Sequence, residues 1–215
     1  MKAAARTKPA AADTATRILD VAERLIQTHG FNGFSYADVA AELGVTKAAL
    51  HYHFAAKDAL GLALIERYTT QHRSALGSIM SATTTESERL RRYTALYAAV
   101  LRGGRMCLCG MLAAEYTTLP RPMQTAIRGF FDLSVGWIAE LLEHGRTTGE
   151  FTFTGTATSA AQSLVGALEG ALLVARPYGD LSRFTTAAER LLETLSAGPP
   201  RDARPGRRRA VKRPG

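Results

Sequence analysis

The run at 36–54, YADVAAELGVTKAALHYHF, constrains the fold more than any other stretch of the chain. It reads as two short helices joined by a tight turn. Val39 and Leu43 face inward from the first helix, and Ala40 is small where the two helices must approach closely. Gly44 permits the turn, and Val45 and Leu50 pack the second helix back onto the first. Ser35 followed by Asp38 resembles a capping box for the first helix, and Thr46 is placed to cap the second. This grammar leaves Thr46, Lys47, Ala48, Ala49, His51, Tyr52 and His53 on the outer face of the second helix. Such a helix fits a DNA major groove, about 12 Å wide, with its N-terminal residues at base edges.

Spacing assigns each side chain a role. Lys47 and His51 share a face at i, i+4, as do Ala48 and Tyr52. Lys47 suits guanine O6/N7, or equally a phosphate. Ala48 and Ala49 offer only close apolar contact, for example to a thymine methyl. His51, Tyr52, His53, Lys57 and the Ser35 hydroxyl suit phosphate oxygens, which fix register without reading sequence. Some readout through DNA shape is expected, because few side chains are left to read bases.

Net charge alone supports this weakly. The formal charge is +8, but residues 1–13 hold three bases against one acid, and residues 199–215 hold seven against one. Seventeen bases and seventeen acids share the stretch between, so the basicity lies in the two ends. Both ends are rich in Ala, Pro, Gly and Arg and read as disordered: an N-terminal arm at 1–13, whose Arg6 and Lys8 suit a minor groove, and a basic tail at 199–215.

Between the ends the periodicity is helical. Ile18, Leu19, Ala22, Leu25 and Ile26 share one face of a helix stopped by Gly30. Short helices follow at about 36–43 and 47–53, then a long one from Lys57 to about Met80. Leu90, Tyr93, Tyr97, Val100 and Leu101 keep helical spacing up to Gly103. A helix is expected at about 108–119. Another starts at Pro120 and Pro122 and closes at Gly149, carrying a stripe of Ile127, Phe130, Phe131, Ser134, Ile138, Leu141 and Leu142. Helices at about 156–176 and 181–196 complete the chain. Only residues 151–153 alternate as a strand does, and they are too short to build a sheet. The expected architecture is all-α with about nine helices: a helix-turn-helix domain at 14–60 and a larger helical domain at 61–198.

No run of about 18 apolar residues is present, so no membrane span is expected. The N-terminus has no continuous apolar stretch of the kind a secretory signal needs. Two cysteines, Cys107 and Cys109, are too few for a disulfide scaffold, and a cytoplasmic protein is expected. They lie one residue apart with no histidine nearby, which does not close a zinc site. No glycine-rich phosphate loop, nucleophile elbow or HExxH motif occurs, so neither enzyme chemistry nor a cofactor or metal is expected.

Residues 14–60 resemble the DNA-binding domain of the tetracycline-repressor (TetR) family. The resemblance rests on the Ile18-Leu19 start of helix one, Gly30-Phe31, Asp38-Val39-Ala40, Gly44-Val45-Thr46-Lys47, His53-Phe54 and Lys57. Two positions depart from the family pattern. His51 stands where tyrosine is usual, which makes that contact pH-sensitive. Ala56 stands where serine or threonine often caps the next helix, and Asp58 offsets this through the helix dipole.

The resemblance implies a homodimeric regulator, usually a repressor. Its C-terminal helices pair with a second copy, and a small molecule in the larger domain respaces the two recognition helices on a palindromic operator. Leu164, Val165, Leu168, Leu172, Leu191, Leu192 and Leu195, with alanines among them, suit either such an interface or an intrachain core. Tyr93, Tyr97, Met106, Met111, Tyr116, Phe130, Phe131 and Trp137 are candidates to line an effector pocket or to fill the core, and Cys107 is a further pocket candidate. Glu115 and Glu169 either anchor a polar ligand group or pair with structural arginines. Cys107 and Cys109 are either small buried hydrophobes or a thiol-reactive switch. The second reading expects the helix start near them, with Arg105, to favour the thiolate. Two rivals remain: an architectural DNA binder driven by the basic ends, and a small helical enzyme.

Overall fold

The computed structural model describes residues 11–196. The arm with Arg6 and Lys8, and the basic tail at 199–215, lie outside the described residues. Nine α-helices are present among the described residues: α1 Ala11–His29, α2 Tyr36–Leu43, α3 Lys47–His53, α4 Lys57–Ala82, α5 Glu86–Arg102, α6 Leu108–Ala114, α7 Arg121–Thr148, α8 Ala157–Ala175 and α9 Leu181–Ser196. Single 3-10 turns follow α6 and α8. No strand occurs among the described residues.

The helix starts follow from local chemistry. Ser35 and Asp38 form a reciprocal capping box on α2, and Thr46, Thr85 and Thr156 each cap the helix that follows. Ala56 makes no side-chain cap, and Asp58 supplies the negative charge in the first turn of α4. Two expectations are corrected. The helix α1 begins at Ala11, inside the stretch assigned to the arm, because two alanines and Asp13 favour a first helical turn. The helix expected over 108–119 ends at Ala114, where Glu115 turns away to another element. Residues 151–153, too short to build a sheet, form no strand, as expected; Phe151 is buried against Gly145, which has no Cβ to obstruct the ring.

Helices α1–α3 form a three-helix unit around Ile18, Ala22, Ile26, Val39 and Leu50, all sealed from solvent. The rest is a bundle in which α7, α8 and α9 pack side by side, with α4 against α7 and α5 against α9. The span at 157–178 is long and apolar enough to cross a membrane by length and composition alone. Packing accounts for much of that apolar character: Leu164, Val165, Leu168 and Leu172 are buried in the bundle. Its outer face holds Gly166 and Gly170, with Leu173 (60% exposed) and Val174 (64%) beside them.

Candidate functional site

The outer face of α3 is set by its junction with α2. Gly44 takes a left-handed φ of 66°, and the Val45 amide returns to Ala40 O at 3.0 Å, closing α2 while reversing the chain. Thr46 Oγ1 accepts from the Ala49 amide at 3.2 Å. Leu50 is sealed beneath, and the Tyr36 hydroxyl donates to Phe54 O at 2.9 Å, fixing the far end of α3. Burial, then the charge of Asp58, raises that hydroxyl's pKa to about 12, so it stays a donor.

The expected surface residues divide. Thr46, Lys47, Ala48, His51 and Tyr52 are exposed, and Tyr52 has 81% of its surface free. Ala49 and His53 are half-buried. The Tyr52 ring meets His53 edge-on at 5.2 Å. His51 Nδ1 lies 3.1 Å from Ala55 O, a pure acceptor, so Nδ1 carries the proton and Nε2 donates only in the imidazolium.

Two expected phosphate donors are otherwise engaged. The Ser35 hydroxyl donates to Asp38 Oδ2 at 2.8 Å and accepts from the Ala37 amide, so the cap consumes it. Lys57 turns inward: its ammonium donates to Phe34 O at 2.5 Å and sits 4.5 Å from both the Phe31 and Phe34 rings. Burial lowers its pKa, against the opposing pull of Glu115. Lys57 therefore holds the loop before α2 rather than facing outward.

A second cluster lies inside the bundle. Tyr93 stacks on Trp137 at 5.6 Å and contacts Tyr97 at 5.6 Å and His72 at 6.0 Å. His72 and Tyr68 both meet Phe130. His72 pairs with Ser134 Oγ at 3.1 Å, and burial lowers its pKa to about 4, so it is neutral. The Tyr68 hydroxyl points to Cys107 Sγ at 3.9 Å. Glu169, from α8, faces Cys107 and Tyr97. Its Oε1 is shut off from solvent without a hydrogen-bond partner, and burial raises its pKa.

Five of the expected pocket residues thus come together: Tyr93, Tyr97, Cys107, Phe130 and Trp137. Met111 and Glu115 stand apart. Met111 Sδ accepts from Arg176 at 3.4 Å, and Arg176 also donates to Thr28 O. Glu115 Oε2 accepts from the Phe31 and Asn32 amides at 2.7 and 3.2 Å, so its partners are backbone groups beyond α1, not an arginine or a ligand group. Glu169 also lacks the arginine considered for it. The cysteines are buried as the hydrophobe reading has it. Cys107 does sit at the start of α6, accepting from the Gly110 amide at 3.4 Å. Desolvation overrides the helix dipole, however, and pushes both thiols well above their usual pKa. Sequence reasoning did not single out Tyr68 and His72. Their i, i+4 spacing on α4 was the available signal, together with Ser134 on an otherwise apolar stripe.

A cavity of about 630 Å³ opens between α5 and α9 rather than at the cluster, lined by residues that include Leu90, Arg91, Phe184 and Leu192. Phe184 separates the two, stacking on Tyr97 at 6.3 Å. No group of three or more metal-ligating side chains occurs among the described residues.

A compact three-helix unit presenting one helix outward, joined to a helical bundle, defines a helix-turn-helix DNA-binding regulator. Residues 18–64 match the family model described as bacterial regulatory proteins, tetR family. A TetR transcriptional regulator from Legionella pneumophila is 31% identical, with a TM-score of 0.76 over 83% of this chain and 95% of that one. A TetR-family regulator from Agrobacterium tumefaciens superposes with a TM-score of 0.84 at 29% identity, over 87% of this chain and all of that one. The HTH-type transcriptional repressor NemR of Escherichia coli is 27% identical over 170 residues, 76% of this chain and 84% of NemR. The chain belongs to the TetR family. It is a DNA-binding transcriptional regulator, not an enzyme.

Proposed function

We propose that the protein is a cytoplasmic homodimeric repressor that holds a palindromic operator and leaves it when a small effector enters the bundle. Residues 14–60 act as the DNA-binding domain and residues 61–198 as the effector and dimerisation domain. The observation that carries this reading is the free outer face of α3, where Lys47, Ala48, His51 and Tyr52 project from a turn fixed by Gly44 and Leu50. Thr46, Lys47, Ala48 and Ala49 meet base edges; His51, Tyr52 and His53 meet phosphates, with His51 donating when protonated. Ser35 serves the domain as the cap of α2, and Lys57 by tying down the loop before it.

Dimerisation through α8 and α9 is supported by the outer face of α8. Two glycines with open space over them let a second helix approach, and Leu173 and Val174 need cover. The resulting pair of α3 helices would sit about 34–36 Å apart, one turn of DNA. The effector site is the cluster of Tyr93, Tyr97, Cys107, Phe130 and Trp137, with Glu169 as its polar end. Entry past Phe184 from the neighbouring cavity is supported by the stacking of that ring on Tyr97. A repressor role draws on the likeness to NemR and to the repressor DhaR of a Mycobacterium strain, which is 24% identical over 161 residues.

The test is operator binding on DNA upstream of the gene itself. Lys47→Ala with Tyr52→Ala should weaken specific binding by about 1–3 kcal/mol per lost contact while leaving the dimer intact. Deleting 199–215 should lower affinity on all sequences alike. Unchanged operator preference in the double variant would refute the assignment, and loss of all binding on deleting the tail would favour the architectural reading.

A further inference from the structure

The backbone beyond α3 fixes one imidazole of the outward face in a single tautomer. His51 Nδ1 lies 3.1 Å from Ala55 O, the first carbonyl past the Phe54 cap, and a carbonyl can only accept. Ala55 is itself anchored through its neighbour: the Tyr36 hydroxyl donates to Phe54 O at 2.9 Å, and the Tyr36 ring packs on His51 with centroids 4.8 Å apart. The proton therefore stays on Nδ1, and Nε2 carries a lone pair. His51 is exposed, and its Nε2 has no partner among the described residues. Lys47 stands one turn earlier on the same face.

We propose that neutral His51 accepts from an adenine or cytosine amino group, and so selects the base at one position of each operator half-site. The inference rests on the DNA-binding face assigned above and adds a second contact, made by the unprotonated ring. A phosphate oxygen and an unprotonated Nε2 are both acceptors, so the neutral ring cannot keep the phosphate contact of the imidazolium. The donors on base edges in the major groove are adenine N6 and cytosine N4. His51 lies on the ridge of α3 that starts at Lys47, the ridge placed above at base edges, so a turn of the same groove is within its reach.

Protonation reverses the choice. One proton is added at Nε2 and the ring gains a positive charge, while the Nδ1–H bond to Ala55 O is kept. Nε2 then donates to a phosphate oxygen, which every sequence presents. Raising the pH thus trades a sequence-blind contact for a base-specific one. The charged and titratable groups around this end of the domain are Tyr36 and Asp38 on α2, Asp58 in the first turn of α4, and Lys47 and His53 on α3. Burial, then Asp58, holds the Tyr36 hydroxyl at a pKa of about 12, and the bonds from Ser35 keep Asp38 ionised. Neither changes charge near neutral pH. His53, half-buried and edge-on to Tyr52, is the other imidazole of α3, and a variant separates its effect from that of His51.

The experiment uses the full-length protein and a pool of DNA duplexes with a randomised centre of about 30 base pairs, selected at pH 8.5 and at pH 6.0 in one salt concentration. At pH 8.5 the wild type should enrich adenine or cytosine at one symmetric position of a palindrome. Guanine or thymine placed there should weaken binding about fivefold or more at pH 8.5 and less than about twofold at pH 6.0. His51→Tyr carries a hydroxyl donor at both pH values, so it should show no preference at that position at either. Without DNA, the ring 15N shifts of His51 at pH 8.5 should show the Nδ1–H tautomer, with His51→Tyr identifying its signals. Four results overturn the inference while the repressor reading stands: an equal preference at both pH values, guanine or thymine enriched at pH 8.5, a pH-dependent preference that survives in His51→Tyr, or an Nε2–H tautomer. A pool that yields no enriched sequence at either pH overturns the repressor reading and this inference with it.

Discussion

Replacing Gly30 with alanine should expose how the DNA-binding unit is fastened to the bundle. Gly30 closes α1 with a left-handed φ of 84°, and its amide returns to Ile26 O at 2.9 Å. An alanine there costs about 1–2 kcal/mol for the dihedral alone. Its Cβ would also overlap Glu115 Oε1. That side chain is flexible and can swing away, but doing so breaks its bonds to the Phe31 and Asn32 amides, at 2.7 and 3.2 Å. Two hydrogen bonds to a half-buried carboxylate are worth about 2 kcal/mol together after screening. Gly30→Ala in the wild type should therefore cost about 3–4 kcal/mol. In a Glu115→Ala background, where nothing remains to displace, it should cost only about 1–2 kcal/mol. Urea unfolding of the four proteins at one protomer concentration measures the difference. A coupling energy below about 0.5 kcal/mol would mean that Glu115 does not hold the loop, and the reasoning fails.

Three further outcomes follow from the geometry. Lys57→Met should lower stability by about 1–2 kcal/mol, through the lost bond to Phe34 O and the two ring contacts, while the salt dependence of operator binding stays unchanged. His72 has a folded pKa near 4 against 6.5 unfolded, so the unfolded chain takes up the proton first. Stability should fall by up to about 3 kcal/mol as pH drops from about 6.5 to 4, and His72→Gln should lack that increment in a pH series of unfolding curves. Leu173→Asp with Val174→Asp should shift the protein towards monomer in sedimentation and abolish operator binding, since a dimer pays for two weak half-site contacts at once.

The helix-turn-helix was legible because its signals are local. Ser35, Asp38, Gly44 and Thr46 act within a few residues of themselves, and the spacing of Val39 and Leu50 fixes which face of α3 turns outward. The spans of α8 and α9 followed from the same periodicity. The interior cluster was half legible: aromatic spacing named Tyr93, Tyr97, Phe130 and Trp137, but Tyr68 and His72 looked like ordinary positions on a long amphipathic helix.

Pattern tells which side of a helix is covered, not what covers it. Lys57 looked available to DNA until Phe34 O and two rings, about 25 residues upstream, claimed its charge. Glu115 found amides more than 80 residues away. The sequence left Cys107 either a buried hydrophobe or an acidic thiol at a helix start, and the depth of the bundle, with Glu169 across from it, decided against the acidic thiol. The chain's own order dictated its helices, its caps and the outward recognition surface, because backbone hydrogen bonding and capping act over a few residues. The fate of each ionisable group was decided only by packing, because desolvation and Coulomb energy depend on neighbours that distant segments supply.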